Sequence, residues 1–477
     1  MARCAGSAIA AGLLAAITTA NNAGAADPMD AEARAMYARV VGMDSSRVGR
    51  QVTAIADYLA GEFRNAGIPA ADVAILPLAG TASLVVRYRG SSRGGKPARK
   101  PILLLAHMDV VVARREDWQR DPFQLIEENG YFYGRGTADN KDGLVTIVTT
   151  IKRLKREKFV PDRDIIVYFS GDEETAQFTT LDTVRNHREL VDAEFAINTD
   201  VGPGKLDEVS GRPVQLGLQT AEKTYADYTL TTHNPGGHSS RPRPDNAIYD
   251  LAAALTRIQA YRFPVMSNDA TIATLQQAGA TTPDPLGGWL RRFAANPFDQ
   301  EAADAIYSEP DYVGQTRTTC VATMLSGGHA ENALPQSASA NINCRIFPGM
   351  PLQTVQKTLA QLAGPQVEIK LQGQPFWSDA SPMRDDVVAA VSRSLRPLDP
   401  DVRIVPSQDA GATDGAVFRS AGIPTYGVSG MFMKNGEYRA HGLNERVPVK
   451  GFYDGLEIWY RLVKAMAGPV SAAAKSR

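Results

Sequence analysis

Residues 165–175 read IIVYFSGDEET, and they set the fold. An apolar run from Ile165 to Phe169 without polar alternation predicts a strand buried on both faces, as in a parallel sheet covered by helices. The run ends in Gly171-Asp172-Glu173-Glu174, which sets three carboxylates side by side at the carboxyl end of the strand. Their mutual repulsion is costly unless a cation or a proton offsets it. Positive charge is therefore expected at this point.

Upstream and downstream the same rhythm repeats. Val52 to Asn65 has helical periodicity and stops at Gly67-Ile68-Pro69, and Val73 to Leu76, Ser83 to Tyr88 and Ile102 to Leu105 have strand character. Lys141 to Lys158 spaces Leu144, Ile147, Val148, Ile151 and Leu154 as an amphipathic helix, and Phe195 to Asn198 is a further buried strand. This alternation predicts an α/β layer with a mostly parallel sheet and helices on both faces. Around Gln219 the texture changes. Tyr225 to Thr232 alternates, Ala247 to Tyr261 is helical, and Thr319 to Met324 with Ser339 to Ile346 form a hairpin, which together predict an inserted α+β domain with an antiparallel sheet. Residues 265–315 are expected to be a helical elaboration of that insert, without an assignable role. From Asp385 the α/β rhythm resumes with a helix at Val387 to Leu395, strands at Val402 to Val405 and Thr425 to Val428, and a last helix at Phe452 to Ala467. The expected division is a leader at 1–26, the first part of an α/β domain at 27–218, an insert at 219–375 and the second part at 376–477.

The 477 residues are 44% hydrophobic and carry 51 basic against 52 acidic side chains, a net charge of -1. That balance offers no basic footprint for nucleic acid and no polybasic membrane patch, so a small molecule or peptide is the expected partner. Arg3, the apolar stretch Ala8 to Ile17 and Ala23-Gly24-Ala25 have the three parts of a cleavable signal peptide, and no later apolar run is long enough to span a bilayer. The mature chain is thus expected to be exported, periplasmic or secreted. Removal of Cys4 with the leader leaves Cys320 and Cys344, which flank the turn-like stretch Gly327 to Pro335. They could face each other and bridge, or stand as separate buried thiols.

Polar residues gather at strand ends of the α/β part. Ile102 to Leu105 runs into His107-Met108-Asp109, where the two-residue spacing lets Asp109 hold the His107 ring for metal binding. Gly136-Thr137-Ala138-Asp139-Asn140-Lys141 brings a carboxylate to a helix start, Glu173-Glu174 follows one strand, and Asn198-Thr199-Asp200 follows another. Taken singly, Asp139 is better read as a helix cap and Asp200 as a loop residue. Jointly they point to a metal site at the carboxyl edge of the sheet. Histidine and carboxylate ligands without cysteine suit borderline or hard divalent ions, and a shared carboxylate would hold two of them about 3.5 to 4 Å apart. A second imidazole is needed, and Ala440-His441-Gly442 in the returning segment supplies it.

The runs LLLAHMDVV, GRGTADNKDG, GDEET, NTD and AHG, in this order, resemble the M20 metallopeptidases, which include glutamate carboxypeptidases, aminoacylases and carnosinase-like dipeptidases. The resemblance implies that Asp139 bridges two metal ions, zinc foremost with cobalt or manganese as alternatives. It places His107 and Asp200 on one ion, and Glu174 and His441 on the other. Glu173 becomes the general base. The insert becomes a lid and dimerisation domain, in which His238 of the HNPGGHSS run stabilises the oxyanion in the partner subunit's site. Asn332 and Arg345 become substrate contacts, with Arg345 shaped for a terminal carboxylate, and Gly411 and Thr413 belong to a glycine-bearing loop near that carboxylate. Thr413-Asp414 equally fits a helix cap. Asp142 departs from the glycine common at its position in the family, and His187, His233 and His329 match no family role.

The expected activity is hydrolysis of an amide or peptide bond beside an amino acid with a free carboxylate, as in a carboxypeptidase or dipeptidase, with an N-acyl amino acid hydrolase as the alternative. A serine hydrolase would need a G-x-S-x-G elbow, and Gly427-Val428-Ser429-Gly430-Met431 lacks the last glycine. A non-catalytic metal-dependent binding protein would be expected to lack Glu173 or His238, and both are present.

Overall fold

The structure is a computed structural model that describes residue 1, residues 28–91 and residues 95–469. The expected signal peptide falls on residues 1–26, which apart from Met1 lie outside the described residues. Among the described residues no helix is long and apolar enough to cross a membrane.

A ten-stranded sheet forms the larger layer. Its middle is parallel: Ile102–His107 pairs with both Ile165–Ser170 and Phe195–Asn198, and the latter with Thr425–Val428. Antiparallel strands extend it on both sides. Alternate residues of the apolar runs enter opposite cores. Ile102, Leu104, Ile165, Val167 and Phe169 pack with the helices Val52–Asn65, Lys141–Arg156 and Val449–Ala467. Leu103, Leu105, Ile166 and Tyr168 pack with Val191 and with Phe418 of the helix Asp414–Ser420. Each such side chain contributes about 1.5–3 kcal/mol by leaving water. Continuous apolar runs are required because both faces are covered.

A second sheet is wholly antiparallel, with Thr319–Gly327, Ser337–Ile346, Thr224–His233 and Val367–Leu371 in that order. The chain changes sheets at Lys223, between Pro213–Glu222 and Thr224–His233. The inner residues of these strands pack against the helices Ala247–Ala260 and Leu352–Ala363. Cys320 and Cys344 lie directly opposite each other and form a disulfide, so of the two readings left open the bridged one holds.

The helix at Val52–Asn65 and the strands at Phe195–Asn198 and Thr425–Val428 have their predicted bounds. The strand predicted to stop at Leu105 runs on through His107, which pairs with Ser170, so the imidazole stands on the sheet itself. Residues 265–315 are helical as expected, with Asp269–Thr281, Leu286–Ala295, Gln300–Tyr307 and Pro310–Val313 around a small core of their own. Although they interrupt the second sheet in sequence, they dock on the strand Arg403–Asp409 of the large sheet through Thr274 and Gln277.

Candidate metal centre

His107 is fully buried, and its Nδ1 lies 2.9 Å from the backbone carbonyl of Asp109. Donation from Nδ1 leaves Nε2 free to meet a cation. Asp109 was expected to hold the ring with its carboxylate, but that group stands 3.6 Å from Nδ1. It accepts hydrogen bonds from the backbone N–H groups of Glu173 and Glu174, at 3.1 and 3.0 Å. Asp109 thus fixes the imidazole with its main chain and the two glutamates with its side chain.

Asp139 precedes the helix Lys141–Arg156. Gly136 in its loop has φ +85°, and a Cβ there would come within 2.9 Å of Lys141 and Val110 side-chain carbons. Behind the loop, buried Glu445 accepts from the Ala138 N–H at 2.7 Å and pairs with buried Arg135 at 2.5 Å. Arg135 also donates to the carbonyls of His441 and Gly442, at 3.2 and 3.3 Å. His441 has φ 62°, a left-handed conformation that costs a non-glycine residue about 1–2 kcal/mol. The Arg135 guanidinium holds it there. Sequence reading missed Arg135 and Glu445; their only trace is one charged residue inside the GRGTADNKDG run and one three residues beyond AHG, with nothing to say that they meet.

The ligand atoms converge. Asp139 Oδ1 lies 2.8 Å from His107 Nε2, and Oδ2 lies 3.0 Å from His441 Nε2. Glu174 Oε1 is also 3.0 Å from His441 Nε2, and Asp200 Oδ2 is 3.9 Å from His107 Nε2. Within each of the sets His107, Asp139, Asp200 and Asp139, Glu174, His441, and within His107, Glu173, Glu174, the ligand atoms lie within 4.8 Å of one another.

The electrostatics ask for a cation. Burial opposes charge on His107, but the nearby carboxylates of Asp109, Asp139 and Asp200 outweigh it and hold its pKa well above the imidazole range. Hydrogen bonds to Asp139 and Glu174 push His441 up to about 10. Burial would raise Asp139, yet the two imidazoles hold it below the usual carboxylate range. Burial, and then Asp200, drives Glu173 well up, while burial followed by Asp139 does the same to Asp200. Four carboxylates beside two imidazoles, with oxygen and nitrogen donors only, fit divalent ions.

Of the three consecutive carboxylates, Asp172 turns away. It accepts from the backbone N–H groups of Phe178 and Thr179, at 2.7 and 3.0 Å, at the start of the helix Phe178–Asn186. Gln177 Nε2 donates to Glu173 at 3.0 Å. Asp200 donates its N–H to Asn198 Oδ1 at 3.1 Å, and Asn198 Nδ2 donates to Thr413 Oγ1 at 3.0 Å. Thr413 caps the helix Asp414–Ser420 through the Gly415 N–H, as one of its two readings required.

The remaining residues stand apart from the cluster. His238 and Asn332 adjoin a short ladder of Gly237–His238 with Ala333–Leu334, and the Ser239 N–H donates to the Asn332 carbonyl at 3.0 Å. Among the described residues, no hydrogen bond or ion pair joins His238, Asn332 or Arg345 to the side chains of the candidate cluster. Arg345 lies over the Tyr225 ring at 4.6 Å and donates to the Ala410 carbonyl at 3.1 Å, spanning from the second sheet to the loop of Gly411. A Cβ on Gly411 would meet nothing within 4 Å. His233 and His187 are exposed or half-buried, 3.8 Å from Glu368 and 3.7 Å from Asp182.

A mainly parallel α/β sheet carrying a histidine–carboxylate cluster at its carboxyl edge, with an antiparallel insert, defines a hydrolase scaffold of the metallopeptidase class. The profile of Peptidase family M20/M25/M40 matches residues 103–465, and the chain belongs to that family. It is 27% identical over 383 residues to the human N-fatty-acyl-amino acid synthase/hydrolase PM20D1, covering 78% of this chain and 75% of that protein. It is also 27% identical over 384 residues to aminoacylase-1A of Rattus norvegicus, covering 78% and 82%. Among solved structures, an M20 family metallo-carboxypeptidase from Sulfolobus solfataricus has a TM-score of 0.69 at 20% identity, over 91% of this chain and 99% of that one. That likeness concerns the fold.

Proposed function

We propose that this chain is a dinuclear metal-dependent hydrolase that cleaves an amide or peptide bond beside an amino acid bearing a free carboxylate. The observation that carries the proposal is the Asp139 carboxylate, whose two oxygens face two imidazoles belonging to two ligand sets. His107, Asp139 and Asp200 would hold one ion, and Asp139, Glu174 and His441 the other, with zinc the first choice and cobalt or manganese compatible. When bound, such ions polarise the amide carbonyl and lower the pKa of a water towards about 7. Glu173 stands outside both sets and serves as general base, taking a proton from the attacking water and passing it to the departing amine. Asp109 fixes its main chain, and Gln177 orients its carboxylate.

Arg345, Asn332, Gly411 and Thr413 form the substrate side of the proposal, with the guanidinium gripping the carboxylate. The segments 27–218 and 376–477 make the catalytic domain, and 219–375 the lid. The strand Thr319–Gly327 is an edge of the second sheet and exposes Val321, Met324 and Leu325. An uncovered edge strand is a ready surface for pairing, which supports a homodimer through the lid in which His238 serves the oxyanion of the partner subunit's site. Export to the periplasm or medium rests on the sequence of residues 1–26, and the Cys320–Cys344 disulfide suits such a compartment.

A second reading, hydrolysis of N-acyl amino acids, is favoured by the names of the relatives PM20D1 and aminoacylase-1A. One panel decides between them: dipeptides, their amidated forms and N-acyl amino acids of increasing chain length, each with added zinc or with chelator. Chelator-sensitive cleavage lost on amidation is expected. Cleavage that persists in chelator would overturn the metal mechanism.

A further inference from the structure

The helical segment between the two halves of the second sheet has a specific relation to the substrate side of the site. Its ends come together where the Met266 N–H donates to the Thr316 carbonyl at 2.8 Å. Beside that closure, Asn268 Nδ2 donates to Gln408 Oε1 at 2.8 Å, and Gln315 Nε2 donates to the Gln408 carbonyl at 3.2 Å. Both ends of the segment therefore clasp one buried residue. Gln408 lies where the strand Arg403–Asp409 loses regular register with Pro213–Glu222, between Ser407 and Gln408. At such an irregularity the ladder alone does not aim the chain, and the two amide side chains supply the missing constraint. The next residues are the loop in question. The Lys223 N–H donates to the Asp409 carbonyl at 3.0 Å, Arg345 donates to the Ala410 carbonyl at 3.1 Å, and Gly411 is open to solvent.

We infer that the segment from Asn268 to Gln315 is a brace for the loop Asp409 to Thr413, acting through Gln408 as a positioning residue that aims the loop and Arg345 at the substrate carboxylate. This rests on the proposed carboxylate grip. A plain edge cover for the strand Arg403–Asp409 would stabilise the sheet without affecting substrate binding, and the two roles separate in experiment.

The test uses the full chain with Gln408→Ala, Gln408→Glu and Asn268→Ser. Serine keeps a cap for the helix Asp269–Thr281 but is too short to reach Gln408, and glutamate retains an acceptor for Asn268. Hydrogen exchange at residues 409–412, bound metal, and kcat and KM on paired free and amidated substrates are measured. For Gln408→Ala and Asn268→Ser the expectation is faster exchange in the loop, unchanged metal content, and KM for the free-carboxylate substrate raised about tenfold with kcat nearly preserved. Gln408→Glu keeps the acceptor for Asn268 but puts a carboxylate at a buried position beside Asp409, so it should recover the two readouts only in part. Unchanged exchange overturns the brace, and faster exchange with unchanged KM overturns its link to substrate. If the unsubstituted enzyme does not distinguish free from amidated substrate, the carboxylate grip itself fails, and the exchange data alone decide the brace.

Discussion

The two carboxylate oxygens of Asp139 face two different imidazoles, Oδ1 at 2.8 Å from His107 Nε2 and Oδ2 at 3.0 Å from His441 Nε2. The imidazoles arrive from distant parts of the chain. One ends a central strand, and the other sits in a left-handed turn held by Arg135. A single side chain between them is the natural bridge for two cations. Asp139→Asn keeps the shape but offers one oxygen and one NH₂ group, so it can serve only one side. Metal analysis should find less than the full complement, and activity should fall by on the order of 10³-fold or more. Two tightly held ions in the variant would rule out the bridging role.

Glu173 has the opposite dependence. Its backbone is tied to Asp109 and its carboxylate to Gln177, so Glu173→Gln should leave the loop and the ligand sets in place. Metal content is expected to stay at the unsubstituted level while kcat falls about 10²–10⁴-fold, the usual weight of a general base. An equal loss of metal would make Glu173 a ligand, which its place in the set with His107 and Glu174 also allows geometrically.

What was legible in the sequence follows a physical pattern. His107, Asp139, Glu174 and Asp200 each stand just after an apolar run or just before an amphipathic helix, so local signals place them at one edge of the sheet. Contacts that depend on how distant loops meet left no such mark. Arg135 and Glu445 are 310 residues apart, and the Asp109 carboxylate reaches the amides of Glu173 and Glu174 only once two neighbouring strands are in register. The docking of residues 265–315 on the strand Arg403–Asp409 was hidden because its apolar residues chiefly form their own small core, and its outer contacts are polar.

The Arg135–Glu445 pair yields a prediction about both stability and metal. Both side chains are buried, and between them they hold Ala138, His441 and Gly442. Glu445→Ala would leave a buried guanidinium uncompensated and free the loop before Asp139. We expect a loss of roughly 3–5 kcal/mol in urea unfolding and metal affinity weakened about 10–100-fold in competition with a chelator. A double change, Arg135→Met with Glu445→Leu, should recover much of the stability but not the metal affinity. Recovery of both would reduce the pair to a packing element.

The disulfide bears on the second sheet alone. Cys320 and Cys344 are 24 residues apart in sequence and opposite each other across Thr319–Gly327 and Ser337–Ile346. Closing a loop of that length restricts the unfolded chain and is worth about 3 kcal/mol on the chain-entropy account. The proposed metal ligands stand on the other sheet and its loops, so metal content should not depend on the bridge. Replacing both cysteines by serine should therefore lower the unfolding free energy by about 3 kcal/mol, while metal content and the activity of the folded fraction persist. The same shift should appear in the unsubstituted protein when thermal unfolding is followed with and without reductant. If reductant changes nothing while free-thiol titration shows the bridge open, cross-strand packing alone sustains the sheet. If activity falls with the bridge at full metal occupancy, the disulfide also fixes Arg345, the direct neighbour of Cys344, where it meets the Ala410 carbonyl.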